Sequence, residues 1–283
     1  MIYLIMLENE SVKGITDESH SHRNIKVSEN RYETKYVLFD KPIQTGIVTD
    51  KKPKKMTEEE RKQADEANRR SAKTRAVESV IQYAGNNHWQ YFSTITFDPK
   101  KVDRKDFLAC SFQVKRYFKA LRQYNIDNNL PELEYLAVPE KHKDGAYHFH
   151  ALMNNLPSER ISRATNNGKE LSDKAGRPIF NFDYTFGHTT VVPIGDKNED
   201  QAKVGSYIAK YITKDLLSGI KGAKCYWATR GLKKDTLITR GHIEPGDMAE
   251  IMGDLMSEAN FKKSINIKPT QNTKHIFVIR KTL

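Results

Sequence analysis

Cysteine is scarce: Cys110 and Cys225 are the only two among 283 residues, and they form no CxxC. A disulfide framework or a cysteine-built zinc site is therefore not expected, and a reducing cytoplasm fits. Long apolar runs are missing too. None approaches the roughly 20 residues that a membrane-spanning helix needs. The apolar opening, residues 1–7, lacks a basic n-region and a small-residue cleavage site, so it does not read as a signal peptide. There is no internal repeat and no GxxxxGK[ST], which excludes a nucleotide-driven motor by that route.

What is abundant is positive charge. Lys and Arg number 47 against 36 Asp and Glu, for a formal net charge of +11. That balance favours a polyanionic partner, nucleic acid or a membrane surface, and without an apolar span nucleic acid is the better fit. The length allows one large domain or two small ones, with ample core.

Residues 1–55 mix polar residues with short β-prone pieces such as 36–39, and local pattern gives them no assignment. After the basic knot at 51–55, Thr57 and Glu60 match a capping box. A charged helix follows within 56–87. Its Arg61, Lys62, Arg69, Arg70, Lys73 and Arg75 either lie along DNA or form a solvated face. From residue 88 to 242 the pattern is that of a mixed α/β domain. Residues 90–97 are β-branched and aromatic, and residues 103–124 carry an apolar stripe at helical spacing. Residues 134–138 and 147–153 read as a hairpin turning at Gly145. Another strand is expected at 189–194 and a helix at 198–217, stopped by Gly219 and Gly222. Residues 243–283 form a C-terminal extension, with a helix expected near 248–259 and a strand near 275–279.

Two short stretches carry chemistry. Residues 147–150 read Tyr-His-Phe-His. On a strand, His148 and His150 share one face and can reach a single metal ion, while Tyr147, Phe149 and Ala151 face the other way. Glu140, at the end of the preceding strand, can add a carboxylate. Two histidines in a polar half of a sheet is the plainer alternative. Residues 207–214 read Tyr-Ile-Ala-Lys-Tyr-Ile-Thr-Lys. On a helix, Val204, Ile208, Ile212 and Leu216 form an apolar face, with Tyr207 and Tyr211 at its edge and Lys210 and Lys214 just beyond. A phenol with a pKa of about 10 is a poor nucleophile at neutral pH, and neighbouring ammonium groups favour its phenolate. An ordinary amphipathic helix with snorkelling lysines is the alternative here.

In order along the chain, a Phe92-Ser-Thr-Ile-Thr-Phe97 strand, the His-x-His strand and the doubled Tyr-x-x-Lys helix resemble the HUH endonucleases. Among these they are most similar to two-tyrosine rolling-circle replication initiators of small single-stranded DNA phages and related plasmids and satellites. The resemblance covers the middle of the chain only. It implies an α+β fold, a central antiparallel sheet with helices packed on one face and the metal site on the open face. It implies Tyr207 and Tyr211 as nucleophiles attended by Lys210 and Lys214. It also implies a divalent ion, Mg²⁺ or Mn²⁺, on His148, His150 and Glu140, with Glu134 as second choice for the carboxylate.

Thr94 and Thr96 would be structural or contact DNA, and Tyr226, Trp227 and Arg230 would grip a single strand, Trp227 being equally at home buried in a strand. The expected activity is site-specific nicking and rejoining of single-stranded DNA at a replication origin, through a 5′-phosphotyrosyl link. Host helicase and polymerase would be partners, in the host-cell cytoplasm, with no membrane involved. A two-tyrosine transposase and a basic non-enzymatic DNA-binding protein are the alternative readings. A conjugative relaxase fits less well, because it places its tyrosine before the histidines.

Overall fold

Thr57 and Glu60 form the expected capping box in the computed structural model. The Thr57 N–H donates to Glu60 Oε2 at 2.8 Å and the Glu60 N–H to Thr57 Oγ1 at 3.2 Å. This satisfies two of the orphan donors at a helix start and fixes where the helix begins. The structure describes residues 15–16, 22–31, 33–44, 56–213, 224–257, 259, 261–267 and 274–282. The chain divides into two compact units, Met1–Met56 with Asp235–Leu283, and Thr57–Lys234.

Along the chain, the first unit contributes β1 (Ile15–Thr16), β2 (His22–Glu29) and β3 (Glu33–Gln44). The second unit opens with α1 (Glu58–Asn86), β4 (Tyr91–Phe97) and α2 (Phe107–Asp127). Next come β5 (Glu134–Lys141), β6 (Tyr147–Asn154), β7 (Ile161–Arg163), β8 (Thr165–Asn166) and β9 (Lys169–Glu170). Then follow β10 (Phe180–Phe182), β11 (Gly187–Pro193), α3 (Asn198–Thr213) and β12 (Trp227–Ala228). The chain returns to the first unit with β13 (Thr236–Ile243), α4 (Pro245–Ser257), β14 (Phe261–Ile267) and β15 (Lys274–Thr282). The boundary expected between 242 and 243 falls inside β13. Lys214, Gly219 and Gly222 lie outside the described residues, as does the expected end of α3.

The second unit is mixed α+β around a seven-stranded antiparallel sheet ordered β12-β5-β6-β4-β11-β10-β7. Alternation along the strands sorts its two faces. Ile95, Phe97, Ala137, Phe149 and Ala151 pack with Cys110, Val114, Phe118 and Leu121 of α2. Leu136, Val138 and Leu152 pack with Val80 and Ala84 of α1 and Ile208 and Tyr211 of α3. Helices therefore cover both faces, which corrects the expectation of helices on one face only. The reason lies in the strands: β5 and β6 are apolar at both parities over most of their length, and such strands need cover on each side. Only at the Glu140–His148–His150 end does the second face turn polar.

The exposed part of α1 carries Arg61, Lys62, Arg69, Arg70 and Arg75; burial begins only near Val80. In the first unit a six-stranded antiparallel sheet, β1-β13-β2-β3-β15-β14, carries α4 on one face. Among the described residues no helix is long and apolar enough to cross a membrane.

Candidate active site

The β5–β6 hairpin closes through a turn in which the Gly145 N–H donates to the His142 carbonyl at 3.0 Å and Gly145 takes φ +88°. A left-handed residue is needed there, and glycine supplies it without strain. That turn sets a register in which Glu140 stands opposite His148, and Val138 opposite His150. The Glu140 side chain reaches along the strand to His150: Nε2 and Oε2 are 2.8 Å apart, with both side chains about 7% exposed.

On the other side of β6 runs β4, whose Thr94 and Thr96 are cross-strand partners of His150 and His148. Thr94 Oγ1 lies 3.1 Å from His150 Nδ1, and Thr96 Oγ1 lies 3.0 Å from His148 Nδ1. A hydroxyl both donates and accepts, so each threonine can support either tautomer of its imidazole. Thr94 and Thr96 thus take the structural part of the role expected for them. Glu134 sits at the far end of the hairpin, where it accepts a hydrogen bond from Asn154 Nδ2 at 2.8 Å, and it does not join the histidines.

Tyr211 joins the same cluster from α3. Its ring lies nearly parallel to that of His150, with centroids 3.7 Å apart and planes 19° apart. Tyr207 meets Tyr211 edge-on at 5.1 Å and Phe92 at 5.3 Å. The two phenols are not equivalent, as the sequence had implied: Tyr211 is 8% exposed and Tyr207 47%. The stripe that meets the sheet runs Val204, Ile208, Tyr211, a spacing of four then three that holds one helix face. Tyr207 falls beside that stripe. Burial, then the hydrogen bond to Tyr207 and the charges of Tyr207 and Glu140, raise the Tyr211 phenol above its ordinary range. Lys210 is exposed on the same helix.

His142 belongs to the cluster and was not anticipated. Its ring stacks on His148 at 3.9 Å with 13° between planes, and its Nε2 lies 3.4 Å from Glu140 Oε2. Its parity matches Glu140, a signal present in the sequence, but it lies past the strand end where alternation stops being informative. Phe92, on the same face of β4, was likewise missed as a neighbour of the tyrosines.

Trp227 and Tyr226 diverge. Trp227 registers with Ala137 and packs near Phe149 at 5.2 Å and Phe107 at 6.2 Å, on the α2 face away from the histidines. Tyr226 packs against Tyr83 at 6.1 Å, and Arg230 is exposed.

The donor chemistry here suits a divalent ion. Burial, reinforced by the charges of His142 and His150, pushes the His148 imidazole down to about 4, so it is neutral at pH 7 as a ligand must be. The Nδ1 atoms are already engaged by threonine, which leaves the Nε2 atoms as the donors facing Glu140's side. Among the described residues, however, no three His, Cys, Asp or Glu side chains are grouped so as to hold a metal as they stand.

Residues 90–216 match the family model of the replication-associated protein ORF2. The match spans both motif strands and the tyrosine helix, and it supports a replication initiator family for this chain. It is compatible with an endonuclease. No curated protein and no solved structure matches the chain.

Proposed function

We propose that the second unit is a nicking and rejoining enzyme for single-stranded DNA at a replication origin, with Tyr207 and Tyr211 as nucleophiles. The observation that carries this reading is the meeting of Tyr211 with His150 at 3.7 Å while His150 is paired with Glu140 at 2.8 Å. Residues more than fifty positions apart in sequence thus form one cluster of phenol, imidazole and carboxylate at the polar end of the sheet. The match to a replication-associated family supports an initiator role, and DNA binding at an origin goes with it.

In the reaction a phenolic oxygen forms a bond to phosphorus, and the bond from phosphorus to the 3′ oxygen breaks. The 3′ oxygen leaves as a hydroxyl after taking a proton, and the 5′ phosphate stays on tyrosine. The link keeps the phosphodiester's energy, so the reverse attack by a 3′-OH reseals a strand without ATP. Tyr207, the more exposed phenol, is the one open to DNA from solvent. Tyr211, hydrogen-bonded to it, is placed to take or give the phenolic proton or to attack in a second round. His148, His150 and Glu140 would hold a divalent ion, Mg²⁺ or Mn²⁺, which supplies charge neutralisation and polarisation at the scissile phosphate. His142 and the two threonines fix those three side chains. The loop at 99–105 carries Lys100, Lys101, Arg104 and Lys105, and Arg104's charge is felt at His148, so the approach to the cluster is cationic.

The test incubates the protein with Mn²⁺ or Mg²⁺ and labelled single-stranded oligonucleotides covering the origin of its own replicon. A denaturation-resistant protein–DNA adduct that disappears in chelator is the expected result. Binding without any adduct in either metal would leave a basic DNA-binding protein in its place.

A further inference from the structure

In the first unit, strand pairing sets Arg240 of β13 directly opposite Lys26 of β2, and Lys35 of β3 directly opposite Arg280 of β15. Like charges at directly opposed positions cost a sheet stability. Here two such pairs occur in adjacent rows, and they fall on the same face. Ile25, Val27, Tyr36 and Leu38, which alternate with Lys26 and Lys35, pack with Met248, Ile251 and Leu255 of α4. The cations therefore belong to the face that α4 does not cover. Arg240 is exposed and Lys26 half-buried.

The register extends the first row. Lys26 pairs with Val37, Val37 with Val278, and Val278 with Lys263. From Arg240 to Lys263 that row crosses five adjacent strands, a span of about 19 Å at ~4.8 Å per strand. Charge is sorted across the sheet: α4 carries Asp247, Glu250 and Asp254 and no Lys or Arg. On the opposite face the registered acidic residue is Glu33, at the end opposite Thr282.

We infer that this face is a second DNA-contact surface, which grips the sugar–phosphate backbone through the cations of these two rows. A phosphate seated between opposed cations turns a repulsive pair into a favourable one, and displaced counterions add to the gain. The flat span suits a backbone running across strands and carries no base-reading groups, so the grip would be independent of sequence. This inference rests on the DNA-directed reading above but not on the tyrosine chemistry, and it gives the flanking unit a role of its own.

The experiment compares full-length wild type with Lys26→Ala plus Arg240→Ala, binding labelled single-stranded and duplex DNA in chelator across a salt series. Chelator removes strand cleavage from the readout, so failure of the nicking reading cannot imitate the result. The double variant should lower the log–log salt slope by about 1.8 on duplex or about 1.4 on a single strand, from ~0.9 or ~0.7 per phosphate lost. The form of DNA on which the slope falls identifies the one held by this face. Adduct yield at saturating DNA should be unchanged. An unchanged slope on both forms overturns the inference, as does a loss confined to anionic lipid vesicles run alongside. Thermal melting checks the fold, and relief of the opposed charges should keep the midpoint at or above wild type. If the double variant does not fold, Arg240→Ala alone, at an exposed position, should lower the slope by half as much.

Discussion

The amide of Gln201 and the backbone of Trp89 bind each other twice. The Trp89 N–H donates to Gln201 Oε1 at 2.9 Å, and Gln201 Nε2 donates to the Trp89 carbonyl at 2.8 Å and to the Gly195 carbonyl at 3.0 Å. Gln201 is 1% exposed and lies in the first turns of α3, and Trp89 leads into β4. One side chain thus fastens the tyrosine helix to the strand that bears Thr94 and Thr96. Gln201→Leu keeps the volume and strands these buried groups, at a cost of about 1–3 kcal/mol. Denaturant unfolding should show that loss, together with weaker adduct formation. A change within ~0.5 kcal/mol would mean that α3 is held by its apolar face alone.

Gly187 allows β11 to lie against β4. A Cβ built there would stand 1.9 Å from the Thr96 carbonyl oxygen and 2.8 Å from Phe97 Cα. Backbone cannot yield as a flexible side chain would, so Gly187→Ala should destabilise by about 1–3 kcal/mol. Because Thr96 holds His148, the variant should also lose activity beyond its loss of stability. Gly253→Ala in α4, where a Cβ meets nothing within 4 Å, is the contrasting case and should stabilise by about 0.5–1 kcal/mol. Melting curves of both variants check the pair.

His142 touches two expected ion-binding side chains without being one of them. Its removal in His142→Ala should weaken Mn²⁺ binding by about 10–100-fold, the usual cost of losing an outer partner. His142→Phe retains the stack on His148 but not the approach to Glu140, and should fall between the two. Titration calorimetry without DNA reads this directly. Equal Mn²⁺ affinity in all three proteins would reduce His142 to a surface residue.

Much of the second unit was legible because its signals are local. The Thr57 and Glu60 box, the apolar stripe of α2 and the alternation around His148 and His150 each act over a few residues, and each element formed where they implied. Packing on both faces was less visible. It depends on Leu136, Val138 and Leu152, whose parity matters only once α1 and α3 are known to lie there. Tyr207 and Tyr211 looked alike because periodicity gives a face, not the angle at which a helix meets its sheet. The first unit was opaque for another reason: β2 and β3 find β13 and β15 some two hundred residues away, and no local pattern announces such pairing.

The central claim is that the phenols of Tyr207 and Tyr211 attack DNA. The most direct measurement traps the protein–oligonucleotide adduct and maps the modified peptide, in wild type, in each single Phe variant and in Tyr207→Phe plus Tyr211→Phe. The adduct should map to Tyr207 or Tyr211, survive at least in part in each single variant, and vanish in the double variant while DNA binding is retained. An adduct on any other residue, or one that persists in the double variant, would contradict the account.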